Sequence, residues 1–187
     1  MNVATAIFLC LIPIRNLQAK PIERSDESNN STDKNLRVIV VDDVQNAFRH
    51  TLQIRDRKGN TLYSETTESP HWFLWHAQWS PTNNYVAITT NVSKTEVDTF
   101  VLRKDKTIFT RLKLPEIERD ETCHIVSDGW KNKSNLKLDI SYGNNRKAFP
   151  GDVISSYTAV VHFTKMSKVG TIVSRTRMIK EIIPHEE

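Results

Sequence analysis

Cysteine, glycine and long apolar runs are all scarce in this 187-residue chain, and each shortage excludes something. There are two cysteines, Cys10 and Cys123. Cys10 lies within Val3–Ile14, an apolar run of 12 residues that is too short to cross a bilayer as a helix. Leu9 precedes it where a lipid-attachment site wants a small residue, so lipidation at Cys10 is rejected. If that run is removed, Cys123 is the only cysteine left, so no intrachain disulfide forms and stability rests on the core. Five glycines leave no Gly-rich phosphate loop, and asparagine takes over part of the turn chemistry. There is no His-x-His and no close cysteine pair, so no recognised ligand spacing for a metal, and no cofactor is expected. With 26 basic and 22 acidic residues the net charge is +4, without the clustering of a dedicated nucleic-acid binder.

What is present at the N-terminus reads as export. Val3–Ile14 fits the apolar region of a signal peptide over residues 1–19, with Leu17-Gln18-Ala19 as its cleavage site. Residues 20–35, KPIERSDESNNSTDKN, hold almost no large apolar side chain. Such a segment buries too little to offset its ordering entropy and is expected to be a disordered leader. Residues 36–187 then form a single domain, secreted or periplasmic, with no membrane span once the signal is cleaved. Asn29, Asn30, Asn91 and Asn132 each open a glycosylation triplet, relevant only in a eukaryotic host.

The domain is organised around His71–Val92, which contains three of the four tryptophans. Side chains alternate along an extended chain. Phe73, Trp75, Ala77 and Trp79 should therefore face the core, with Trp72, Leu74, His76 and Gln78 on the other side. Ser80-Pro81-Thr82-Asn83-Asn84 supplies a turn, because proline presets φ and asparagine tolerates the left-handed region. Alternating or β-branched segments follow the same texture at Leu36–Val41, Arg49–Asp56, Thr61–Glu65, Thr99–Lys104, Thr107–Leu114, Asn135–Tyr142, Ser156–Lys165 and Val169–Ile183. Only Pro115–Asp120 offers a helical turn. The spacing predicts an all-β domain of about ten strands in antiparallel meanders.

Trp79-Ser80-Pro81 followed by Tyr85-Val86-Ala87-Ile88 resembles the hairpin of β-propeller blades such as those of TolB-like and WD-repeat proteins. The resemblance covers about one blade, with Phe100–Lys104 and Thr107–Leu114 as its remaining strands. A weaker echo runs from Gly129-Trp130 to Met178, and Leu36–Glu65 makes a partial blade. The implied architecture is a set of blade-like four-stranded units in a partial propeller, an open sheet or a sandwich. In that family the Trp-Ser-Pro residues are structural, so the resemblance transfers no active site.

Candidate chemistry is sparse. Cys123 and His124 suggest a nucleophile and base, but neighbours on a strand point to opposite faces, and a lone buried cysteine acts as a small hydrophobe. His71 and His76 are poorly spaced for one metal. Asp42, Asp43, Asp128 and Asp152 sit where turns use aspartate. Lys165, Lys168, Arg175, Arg177 and Lys180 form a basic stripe on the last strand, which suits an acidic partner or a solvated edge. The group with most binding chemistry is Trp72, His76 and Gln78, an aromatic ring beside hydrogen-bonding side chains. The resulting expectation is an exported, non-enzymatic binding or accessory protein whose ligand is a protein or an envelope glycan. The alternative is an exported hydrolase whose residues meet only in the fold.

Overall fold

β-branched and aromatic residues in alternation make extended segments that need a second layer to cover them. The computed structural model describes residues 20–117, 123–143 and 153–182, and thirteen strands run through them. The first four are β1 (Ile22–Arg24), β2 (Leu36–Asp42), β3 (Arg49–Asp56) and β4 (Thr61–Glu68), paired antiparallel in that order. A second meander follows as β5 (Phe73–Trp79), β6 (Tyr85–Asn91), β7 (Val97–Asp105) and β8 (Ile108–Leu112). The third is β9 (His124–Trp130), β10 (Asn135–Tyr142), β11 (Val153–His162) and β12 (Thr171–Arg175). β13 (Ile179–Ile182) pairs with the start of β11 beyond the end of β12. One parallel pair, Val97 with His124, joins the second meander to the third. The fold is thus all-β, built of four-stranded antiparallel units as expected, and open: β5 and β12 end the larger sheet and do not pair with each other.

The three meanders stack face to face, and the middle one is covered on both sides. Val86, Ile88, Phe100, Leu102 and Phe109 pack on Leu36, Val38, Val40, Leu52 and Ile54 of the first. From the opposite face, Tyr85, Ala87, Val101 and Leu112 pack on Leu136, Leu138, Ile140, Ala159, Val161 and Phe163 of the third. Every residue of β6 is buried, which explains why Val86-Ala87-Ile88 is apolar without alternation. Each fully buried aliphatic side chain contributes about 1.5–3 kcal/mol, so β6 and β7 anchor both interfaces at once. Cys123 is 1% exposed within the second cluster, in the role of a small hydrophobe.

Several expectations need correction. Residues 20–35, expected to be a disordered leader, carry β1 and a 3-10 turn at Glu27–Asn29. Order there comes from small polar groups that meet backbone partners rather than from apolar burial. Asn29 is 5% exposed and its Oδ1 accepts from the Ala77 amide, while Ser31 Oγ accepts from the Leu36 amide. The segment thereby completes the first unit, which its sequence suggested was only partial. The final strand, expected to run from Val169 to Ile183, divides into β12 and β13. Pro115–Ile117 is not helical, and the rest of that expected turn lies outside the described residues, as do the apolar run and cleavage site of residues 1–19 and the loop at 148–152. Among the described residues no helix is long and apolar enough to cross a membrane.

Candidate functional site

The hairpin of β5 and β6 forms as its turn residues require. Asn83 adopts φ 55°, its amide donates to the Ser80 carbonyl, and Ser80 Oγ accepts from the Tyr85 amide. Asn83 Oδ1 in turn accepts from the Thr32 amide, which ties the first meander to this turn.

The facing of β5 is where simple alternation fails. Leu74 pairs with Thr90 and His76 with Thr89, so Trp75 is an extra residue without an opposite number on β6. A bulge of this kind inserts one residue and switches the faces of everything on one side of it. Trp72 and Leu74 consequently pack on the same cluster as Ala77 and Trp79, against the first meander. Phe73 and Trp75, expected in the core, are 38% and 40% exposed.

This separates the three residues expected to form one contact surface. Trp72 is half-buried and stacks on His50 of β3, with ring centroids 5.4 Å apart. It helps to line a notch of about 150 Å³ with Glu65, Phe100 and Arg111. Arg111 lies 3.9 Å over the Phe100 ring and pairs with Glu65, which also accepts from the Tyr63 hydroxyl. Burial first, then Glu65, pushes the Tyr63 hydroxyl far above its ordinary range. The two charged residues that line the notch are thus paired with one another.

His76 and Gln78 face the third meander instead. Gln78 is half-buried; its carbonyl accepts from Trp130 Nε1, and its Oε1 is buried with no hydrogen bond. His76 Nε2 lies 2.9 Å from Ser127 Oγ and 3.1 Å from the Ser127 carbonyl. Ser127 Oγ meets Thr89 Oγ1 at 2.9 Å, Thr89 meets Thr99 Oγ1 at 2.8 Å, and Thr99 donates to the Ile125 carbonyl at 2.8 Å. A carbonyl only accepts, and each hydroxyl has one proton. Thr99 therefore donates to Ile125, Thr89 to Thr99, and Ser127 to Thr89, which leaves Ser127 Oγ to accept from His76. The proton of His76 is fixed on Nε2, donating.

That order matters for the hydrolase reading. Ser127 and His76 have the separation of a nucleophile and its base, but a histidine nitrogen that already donates to the hydroxyl cannot take its proton. Ser127 is also 2% exposed. The network holds β5, β6, β7 and β9 together. Thr89, Thr99 and Ser127 drew no notice in the sequence, since isolated hydroxyl residues in strands carry no spacing signal. His124 Nε2 is likewise engaged, 2.8 Å from the Thr95 carbonyl. Among the described residues no group of three or more His, Cys, Asp or Glu could hold a metal ion.

The bulge leaves an exposed aromatic pair. Phe73 and Trp75 stack with centroids 6.0 Å apart and planes 16° from parallel. Trp75 stands at one side of a cleft of about 420 Å³, lined across β9, β10 and β11 by His124, Asp139, Ser141, Ser156, Tyr157 and Thr158. All of these but Tyr157 occupy the face of the third meander opposite its core: Leu138, Ile140 and Tyr157 point inward, Asp139 and Ser141 outward. Thr158 Oγ1 donates to Asp139 Oδ1 at 3.0 Å, which fixes one carboxylate oxygen. The cleft thus combines a flat apolar platform with a carboxylate and hydroxyls. Compared with known family models, curated proteins and solved structures, the chain matches none.

Proposed function

We propose that this chain is an exported, non-enzymatic binding protein, built from blade-like units, whose ligand is a glycan held on the Phe73–Trp75 platform. The observation that carries this reading is the pair of stacked, two-fifths-exposed rings beside a cleft containing Asp139, Ser141, Ser156 and Thr158. A sugar ring presents a C–H face that packs on an aromatic plane and hydroxyls at its rim that need acceptors and donors. Aromatic rings supply large contact area at low entropic cost, with a few polar groups to fix orientation. The apolar run at Val3–Ile14 before a charged segment supports export. Intact mass of the protein from its producing cell should begin at or near Lys20.

The binding test is titration against a panel of envelope polysaccharides, with Trp75→Ala and Asp139→Asn as variants. Trp75→Ala should weaken glycan binding at least about thirtyfold, the equivalent of the 2 kcal/mol or more typical of a central aromatic contact, while melting stays unchanged. No glycan binding by the parent chain, or retention by Trp75→Ala, would defeat the proposal; loss of a protein partner in Trp75→Ala would move it to a protein ligand. A hydrolase reading has one supporting contact, His76 with Ser127. The donating Nε2 and the burial of Ser127 weigh against it.

A further inference from the structure

We infer that a second ligand site lies between the middle and third meanders, at the end of the sheets opposite the entry to β7 and β9, and that it takes a small ring compound bearing phosphate or sulfate groups. The position follows from topology. In an antiparallel meander the first and third connections fall at the same end. β7 and β9 run parallel where Val97 meets His124, so the turns that follow them lie at one end too. The β5–β6, β7–β8, β9–β10 and β11–β12 connections are therefore neighbours, although they span about half of the chain.

Those connections line a half-open cleft of about 880 Å³, within the roughly 300–1,000 Å³ usual for small-molecule sites. Its lining includes the cations Arg103, Lys106, Lys133 and Lys165, against a single carboxylate, Asp105; Lys104 lies on the other face of β7, with Leu102 and opposite Phe109. Asp105 is committed to Arg103: Nε reaches Oδ1 at 3.0 Å and Nη2 reaches Oδ2 at 2.9 Å. Arg103 is only 13% exposed and its Nη1 donates to the Ser167 carbonyl at 3.1 Å, so its position is fixed before any ligand arrives. Among the described residues none of Lys106, Lys133 and Lys165 pairs with a carboxylate. Like charges gathered around a concavity leave an uncompensated positive field that an anion relieves.

The rest of the lining says what kind of anion. Tyr85 and Phe163, both buried, close the floor of the site, and they pack on one another and on Trp130 at 5.6–6.1 Å. Ile108 adds apolar surface at the rim and is 59% exposed, although Leu112 on the same face is 1% exposed. An inorganic anion has no use for that apolar surface. A ring with anionic substituents matches both parts.

The experiment is calorimetric titration of the purified chain near physiological salt, where the field reaches only about 8 Å. The probes are ADP, a sulfated heparin disaccharide and inorganic pyrophosphate. At least one ring anion should bind with one-to-one saturation and at least tenfold more tightly than pyrophosphate; which one does so identifies the phosphate or the sulfate source. Lys133→Glu and Lys165→Glu, both exposed turn changes that keep the melting temperature, should each weaken it about tenfold or more. Trp75→Ala should leave it unchanged, which separates this site from the aromatic platform. The inference is overturned if neither ring anion saturates, if pyrophosphate binds as tightly, if both lysine variants bind like the parent, or if Trp75→Ala abolishes binding.

Discussion

The bulge at Trp75 makes two tryptophans four residues apart behave oppositely, and a pair of alanine substitutions measures it. Uninterrupted alternation puts Trp75 and Trp79 on one face, so both replacements should cost alike. In the structure Trp79 packs on the cluster between the first two meanders, meets Phe109 edge-on at 6.0 Å, and donates from Nε1 to the Asn29 carbonyl at 2.9 Å. A fully buried tryptophan reduced to alanine costs about 3–5 kcal/mol. Half-burial lowers that figure, while the stranded Asn29 carbonyl adds about 1 kcal/mol. A net loss of about 3 kcal/mol corresponds to about 6–12 °C in a chain of this size. Trp75 is 40% exposed, and a surface change of that kind stays within about 0.5 kcal/mol, or less than about 2 °C. Thermal unfolding followed by circular dichroism at equal concentration distinguishes the cases. Equal shifts for the two variants, or a larger one for Trp75→Ala, would refute the switch of faces.

Thr89→Val keeps its shape but breaks the hydroxyl relay, leaving the Ser127 hydroxyl without an acceptor and Thr99 Oγ1 without its donor; urea unfolding should show a loss of about 1–3 kcal/mol. Gly170→Ala places a Cβ 2.4 Å from Val161 Cγ1 and 2.7 Å from Phe163 Cε1; both are core groups, so overpacking should cost about 1–3 kcal/mol in the same assay. Acid titration of stability should reveal Asp33, whose bonds from Ser31 and from the Asn35 amide hold it down to about 2. A depressed folded pKa contributes stability above the unfolded value near 3.9 and loses it as pH falls toward 2. Asp33→Asn should flatten the stability curve between about pH 4 and pH 2 and leave its slope above pH 5 unaltered. Asp42 should add to the same acid limb: burial raises it, but Arg24 and His50 more than offset that and leave it below its ordinary value.

The lesson of the comparison lies in which residues were readable. Asn135–Tyr142 and Arg49–Asp56 were legible to the residue, because strict alternation and flanking turn residues are local signals that pairing only confirms. The Ser80–Asn84 turn was legible for the same reason. Apolar content alone does not predict the order of residues 20–35, because Asn29 is held by hydrogen bonds from Ala77 and Trp79 far away in sequence, while Ser31 accepts from the Leu36 amide five residues on. Of the expected contact group, Trp72 separated from His76 and Gln78 because nothing in HWFLWHAQW marks which residue is the extra one.

The sequence by itself determined most of the strands, the Ser80–Asn84 turn, the all-β class and the absence of any recognised metal or phosphate motif, since each depends on residues within a few positions of one another. Tertiary structure alone decided the facing of β5, the hydroxyl relay from His76 to Ile125, and the gathering of Arg103 with Lys106, Lys133 and Lys165 from three connections around Tyr85 and Phe163. Those features join residues up to 80 positions apart, and pairing register, not local propensity, brings them together.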